Sequence, residues 1–230
     1  MNTIIEIKDV VKVYHSAAIQ VKAVDHVNLT IQQGEFTALV GPSGSGKTTL
    51  LNLIGGLDKP SSGEIIIDHT NLNAMSAKQI VDFRLQNIGF VFQSYNLIPV
   101  FSAQENVSFI MELQHRPKKE ITKRTIEILT QVGLGDRLES RPSELSGGQQ
   151  QRVAVARAIA SRPTFVIADE PTANLDSKST AQLLDLMEKM NQEENITFLF
   201  STHDKRVMDK AHRILVLEDG KIVKDEKLQS

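Results

Sequence analysis

Nine consecutive residues, Gly41-Pro42-Ser43-Gly44-Ser45-Gly46-Lys47-Thr48-Thr49, carry the densest chemistry in this chain of 230 residues. A glycine, four residues, another glycine, a lysine and a hydroxyl residue is the spacing of a loop that cradles phosphate. Glycine tolerates positive φ, so the loop can curl until successive N–H groups point inward at an anion. A helix beginning at Thr48 adds the positive end of its dipole on the same side. In that frame Lys47 reaches the outer phosphates of a nucleotide, and the Thr48 hydroxyl is a ligand for Mg²⁺. Other polar groups stand where apolar runs end. Gln93 follows Ile88-Gly89-Phe90-Val91-Phe92, and His203 follows the run 196–200. Asp169-Glu170 follow Phe165-Val166-Ile167-Ala168. Two carboxylates leaving a buried strand are costly unless they meet a cation. Asp169 is therefore assigned to Mg²⁺ through water and Glu170 to accepting a proton from attacking water. Ser146-Gly147-Gly148-Gln149 opens a further helix with an N-cap and two glycines, a second start able to face an anion. Plainer readings exist for each: a solvated loop glutamine, a cap ahead of Pro171, a capped helix with convenient glycines. Tyr14, at the end of the first apolar stretch, either stacks on adenine or covers the edge of the core.

The elements that must position these groups are read from periodicity. Phe36-Thr37-Ala38-Leu39-Val40 is a buried strand leading into the glycine loop, and residues 48–54 start a helix. Ile5, Ile7, Val11 and Val13 alternate with polar residues, as do residues 27–31, and the two predict an antiparallel sheet ahead of the loop. Strands are also expected at 64–68, 88–92, 165–168 and 196–200. From 94 to 144 the texture is helical, with Ile121, Thr125, Ile128, Leu129 and Val132 on one face. Leu183, Leu184, Met187 and Met190 form the core stripe of a later helix. Residues 213–225 read as a hairpin about Asp219-Gly220, with no chemistry attached.

Composition narrows the possibilities. A net charge of −2 offers no electrostatic case for nucleic acid or an anionic membrane surface. Without cysteine there is no disulfide, Cys-ligated zinc or thiol chemistry. No apolar run approaches the ~20 residues of a membrane span, and the opening Met1-Asn2-Thr3-Ile4 is not expected to begin a secretory signal. A membrane role would need a partner.

Taken in order, these stretches resemble the ATP-binding-cassette (ABC) ATPases over essentially the whole chain. Tyr14 matches the adenine-stacking aromatic, residues 41–48 the Walker A loop and Gln93 the Q-loop glutamine. Residues 145–149 match the signature, and residues 165–169 Walker B with Glu170 as its carboxylate. Asn174-Leu175-Asp176 match the D-loop, and His203 the switch histidine. Leu-Ser-Gly-Gly-Gln just ahead of Walker B is the specific part. Ala23-Val24-Asp25-His26-Val27, Leu53-Ile54-Gly55-Gly56-Leu57-Asp58, residues 90–99 and Arg141-Pro142-Ser143-Glu144 resemble the lipoprotein-releasing and macrolide-exporter branch and the related cell-division cassette. Ala173 stands where many relatives of that branch have Gly.

The resemblance implies an α/β P-loop NTPase in one domain, 1–230. A RecA-like core with an N-terminal antiparallel β subdomain would occupy 1–93 and 145–230, and an inserted α-helical subdomain approximately 94–144. It implies ATP and Mg²⁺ as cofactors, with Thr48, Gln93 and Asp169 at the metal and Lys47, Glu170 and His203 in catalysis. Nucleotide contacts fall to Tyr14, Gly41 through Thr49, Gln93, and Ser146, Gly147, Gly148 and Gln149. It also implies an ATP-induced, head-to-tail homodimer in which the signature of one subunit caps the γ-phosphate held by the other. Such cassettes act through a membrane-embedded permease subunit at the cytoplasmic side of the inner (plasma) membrane, and none of these expectations involves nucleic acid. A soluble cassette of iron–sulfur cluster assembly would share every motif and need no membrane subunit. A DNA-repair relative would carry a coiled-coil or zinc insertion between Walker A and the signature, where this chain has neither heptads nor cysteine.

Overall fold

The computed structural model describes residues 2–16 and 19–228; Met1, Ala17, Ala18, Gln229 and Ser230, including the outer ends of the expected 1–230 span, lie outside it. Two long strands, β1 (Thr3–Ser16) and β2 (Ile19–Gln32), pair antiparallel. Several register shifts interrupt the pair, which is how a long ribbon bends. After the turn at Gln33-Gly34, β3 (Phe36–Val40) runs through the glycine loop into α1 (Lys47–Ile54). β4 (Ser62–Ile67) returns to β1 and the short β5 (Thr70–Asn71) to β4, giving an antiparallel sheet ordered β2-β1-β4-β5. α2 (Ala77–Asn87) follows. Only Ile80 of this helix is buried, so no apolar period announces it. A reciprocal capping box between Ser76 and Gln79 starts it instead.

β6 (Ile88–Phe92) is followed by α3 (Ala103–Leu113), α4 (Lys118–Gln131) and α5 (Gly147–Ala160), with no strand among the described residues before β7 (Phe165–Asp169). The chain closes with α6 (Ser177–Glu194), β8 (Thr197–Ser201), the short α7 (Lys205–Met208), β9 (Arg213–Glu218) and β10 (Lys221–Lys227). The second sheet has the order β10-β9-β3-β8-β7-β6, parallel throughout except for the antiparallel edge pair β9–β10.

Strand alternation decides what each face of this sheet meets. Phe36, Ala38 and Val40, Val166 and Ala168, and Phe198 and Phe200 enter one apolar cluster with α3 to α6. Leu39, Phe165, Ile167 and Leu199 point the other way, into a cluster shared with α1 and the antiparallel sheet. Both faces are thus covered, which is why these strands read as continuous apolar runs. Phe36 packs against Phe198 and Phe200 at centroid distances of 5.6 and 4.8 Å. The polar residues that follow β3, β6, β7 and β8 all emerge at the same edge, since these strands are parallel. That edge is where a doubly covered parallel sheet holds its ligand.

Candidate functional site

The glycine loop is shaped by what passes beside it. Gly46 has φ 102°, and a Cβ there would lie 2.1 Å from the Ala23 carbonyl of β2. At Gly41, with φ 151°, a Cβ would lie 2.0 Å from the Leu217 carbonyl of β9. Only glycine fits either position. The loop is also stitched to its neighbours: Gly220 N–H donates to the Ser45 carbonyl at 3.0 Å, and Asp25 N–H to the Gly220 carbonyl at 2.9 Å. Gly46 caps α1 without a side-chain hydrogen bond, and no acidic residue sits in the first turn. The first N–H groups of this helix therefore keep their donor capacity and the helix its positive end, the environment an anion requires. Lys47 lies over the loop and donates to the Gly41 and Pro42 carbonyls at 2.8 and 3.0 Å.

Facing the loop are the exits of β7 and β8. Ser201 Oγ–H donates to Asp169 Oδ1 at 2.5 Å, and the same oxygen lies 3.4 Å from Thr48 Oγ1. Ser201 Oγ in turn accepts from the Glu170 N–H at 2.9 Å. Glu170 has φ 47°, a left-handed conformation that costs a non-glycine residue on the order of 1–3 kcal/mol. It turns the carboxylate toward His203, whose Nδ1 lies 2.9 and 3.0 Å from the two carboxylate oxygens. A carboxylate only accepts, so the shared proton sits on Nδ1 and leaves Nε2 for other partners.

These groups enclose an open cavity of about 800 Å³. The backbone and side chains of the glycine loop, Gln93, Glu170 and His203 line it. Asp169 stands just behind, through its contact with Thr48. Thr48 and Asp169 form a pair of hard oxygen donors, and among the described residues no three His, Cys, Asp or Glu side chains converge on one point. Such a pair fits Mg²⁺, which binds through one or two protein oxygens and completes its shell with phosphate and water.

Part of the wall comes from residues not assigned to the site from sequence. Val21, Lys22 and Ala23 of β2, Ala173, and Asp219 and Gly220 of the β9–β10 turn all line the cavity. The hairpin read as free of chemistry is corrected here. Its turn, with φ 47° and 77°, folds back onto the loop through the Gly220–Ser45 bond. As sequence these are ordinary strand and turn residues, and only the packing of β2 and the hairpin across the loop brings them in.

Besides Asp169, the sequence-derived residues Ser45, Ser146, Gly147, Gly148, Gln149 and Tyr14 are not among the lining residues, and Ser45 is buried within the loop. Ser146 caps α5, with a reciprocal capping box to Gln149, yet residues 145–149 do not line the cavity of their own chain. The glycines there do allow close approach, but to the chain itself. A Cβ at Gly147 would lie 2.9 Å from the Tyr95 hydroxyl, and one at Gly148 would lie 2.8 Å from the Ser179 hydroxyl. Tyr14 stands at the rim, 42% exposed, with its hydroxyl donating to Asp58 at 2.8 Å. The segment after Gln93 is held from two sides. Asn174 Nδ2 donates to the Gln93 carbonyl at 3.0 Å, and Arg157 of α5 donates to the carbonyls of Tyr95 and Asn96 at 2.9 and 2.5 Å. Burial lowers the basicity of this guanidinium.

Comparison with known proteins agrees with this geometry. Residues 24–173 match the family model described as ABC transporter. The chain is 43% identical to the lipoprotein-releasing system ATP-binding protein LolD of Legionella pneumophila, covering 92% of this chain and 93% of that one. It is 41% identical to the macrolide export ATP-binding/permease protein MacB of Brucella melitensis, spanning 96% of this chain but 34% of that longer protein. Among solved structures, the dimeric post-hydrolysis state of the ATP-binding cassette MJ0796 of Methanocaldococcus jannaschii, bound to ADP and Pi, superposes with a TM-score of 0.90. That match has 42% identity and covers 98% of this chain and 99% of that one. The P-loop between β3 and α1, the facing carboxylates and the match over most of the chain lead to one assignment: the chain belongs to the ABC transporter ATP-binding family.

Proposed function

We propose that this chain is the ATP-hydrolysing subunit of an ABC transporter, working as a head-to-tail homodimer that drives a separate membrane-embedded permease subunit from the cytoplasmic side of the inner membrane. One observation carries this reading. The capped helix start at Ser146 does not line the cavity of its own chain. On this reading it serves a nucleotide held by another copy. In the closed dimer Ser146 and the Gly148 N–H complete the partner copy's site, and closure excludes water, which strengthens every charge contact inside.

Within each site the loop N–H groups and Lys47 offset the charge of the transferred phosphoryl group. Mg²⁺, held by Thr48, Gln93 and Asp169, would neutralise charge on the phosphate oxygens. Glu170 takes the proton of the attacking water, and Nε2 of His203 meets the γ-phosphate. Gln93 joins this site to the helical stretch that follows it, so phosphate occupancy can be passed to the permease. The work delivered is lipoprotein release or macrolide/peptide-type export, and the relatives' names support lipoprotein release and macrolide export.

The test separates binding from closure. Lys47→Ala is expected to weaken ATP binding by the isolated chain roughly tenfold or more, the cost of a charge-assisted contact. Ser146→Arg is expected to keep that affinity near the parent's and abolish the ATP-dependent dimer, read by size-exclusion chromatography. Equal losses of affinity in the two variants would remove the shared-site model. Co-purification of a membrane subunit with the tagged chain checks the transporter assignment itself.

A further inference from the structure

The rim of the cavity carries a network that none of the roles above uses. Tyr14 on β1 pairs across the ribbon with Val21, a residue of the cavity wall, and the Thr49 hydroxyl lies beside its phenol. The phenol donates to Asp58 Oδ2 at 2.8 Å. The Lys12 ammonium donates to the other oxygen of that carboxylate at 2.7 Å and to the Lys59 carbonyl at 2.7 Å. Lys12 also stands 4.9 Å from the centroid of the Tyr14 ring.

Each contact constrains the ring differently. A cation at that distance covers one aromatic face. The Lys12 side chain is only 12% exposed, and its charge is offset by Asp58, so it is held in place and does not draw phosphate to the rim. Tyr14 keeps 42% of its surface exposed, so the ring retains open surface for a flat group to contact. Asp58 belongs to the turn that ends α1, where the Leu57 and Asp58 N–H groups donate to the Asn52 carbonyl at 2.8 and 3.3 Å. The hydroxyl of Tyr14 is thus tied to the far end of the helix whose near end forms the phosphate cradle. One rigid element sets the separation between ring and cradle.

We propose that Asp58 and Lys12 are positioning residues that hold Tyr14 as a preset, one-faced platform for the planar base of the nucleotide. The proposal rests on reading Tyr14 as the base-stacking residue. A tyrosine without the anchor would have to give up its side-chain freedom when the base arrives. An anchored one has already lost it, and the difference in affinity is roughly 2- to 10-fold.

The experiment compares ATP with inorganic tripolyphosphate, a probe with phosphates and no base, by calorimetry on the full chain. Tyr14→Ala should weaken ATP binding and leave tripolyphosphate binding unchanged. Tyr14→Phe keeps the ring and loses the anchor, while Asp58→Ala removes the acceptor. Each should weaken ATP roughly 2- to 10-fold, again with tripolyphosphate unchanged. The two combined should be no weaker than either alone, since they delete the same contact. Parental ATP affinity in Tyr14→Phe and Asp58→Ala, with Tyr14→Ala still impaired, overturns the anchoring and spares the base-stacking reading. An unchanged ratio of ATP to tripolyphosphate affinity in Tyr14→Ala overturns both. Equal losses for the two probes in Tyr14→Phe would mean a merely structural contact and likewise overturn the proposal.

Discussion

At the scale of single residues, Glu170 is held by its backbone, its N–H and its carboxylate at once. Its left-handed backbone, its N–H on Ser201 and its carboxylate on His203 leave it little freedom to reorient. Strain of that kind persists where the surroundings hold it, and here the surroundings are the exits of two parallel strands. Glu170→Gln keeps the size of the side chain and removes the proton acceptor. Hydrolysis is expected to fall by ~10²–10⁴ while ATP still binds. The variant should then accumulate an ATP-bound dimer on size-exclusion chromatography. A hydrolysis rate close to the parent's would take the proton-accepting role away from Glu170.

At the scale of elements, the β9–β10 hairpin matters because its turn forms part of the cavity wall. Its foundation is Arg213, which is buried and donates to both oxygens of Asp225 at 2.8 and 2.7 Å, to Glu35 at 2.7 Å and to the Thr30 carbonyl at 2.7 Å. The guanidinium holds the Asp225 carboxyl below the usual carboxylate range, and the Asp225 carboxylate with Glu35 raises Arg213 further. A depressed carboxyl stabilises the fold above its unfolded pKa of about 3.9 and loses that contribution as pH falls through the folded value. Asp225 is half-exposed, so solvent screening limits the contribution to roughly 1 kcal/mol or less. Asp225→Asn is expected to lower stability by that amount at pH 7 in urea unfolding. The gap between parent and variant should close below roughly pH 4, as the parent's own carboxyl protonates. A gap that stays constant down to pH 3 would mean the carboxylate charge is not what ties the hairpin down.

At the scale of the whole molecule, no helix among the described residues is long and apolar enough to cross a membrane, and under the proposed function the work of hydrolysis passes to the permease through a protein contact. The segment after Gln93 is the expected outlet, between Tyr95 and Met111. Much of its apolar surface is committed within the chain. Leu97 packs on the main cluster, Met111 is buried, and Phe101 meets Phe109 edge-on at 5.5 Å. A charge at Phe101 would disturb that packing as well as any docking. Val100, 71% exposed, is the cleaner probe. Val100→Glu is expected to reduce co-purification with the membrane subunit and to leave ATP binding by the isolated chain at the parental level. Cross-links that cluster on residues 213–225 instead would move the contact surface to the hairpin.

What could be read from the chain alone is what depends on neighbours in sequence. The spacing of Gly41, Gly44 and Gly46 ahead of Lys47 marks a loop, although its neighbours set its shape. Apolar runs ending in Gln93, Asp169-Glu170 and His203 specify strands with polar exits. The capped start at Ser146 is equally local, and its capping box closes within four residues. Parallel pairing then forces the strand exits to one edge, which is why Gln93, Glu170 and His203 meet the glycine loop around one cavity. α2 escaped because a cap, rather than an apolar period, defines it. Three features depend on packing between distant segments. Val21 to Ala23 and Asp219-Gly220 join the wall because β2 and β9 pass within contact of Gly46 and Gly41. Gly147 and Gly148 prove to accommodate Tyr95 and Ser179, from a turn and a helix far along the chain. The anchor of Tyr14 lies 44 residues away at Asp58. Local spacing encodes conformation, but a wall built from two sheets and a hairpin exists only once their apolar faces have chosen each other, and that choice belongs to the folded chain.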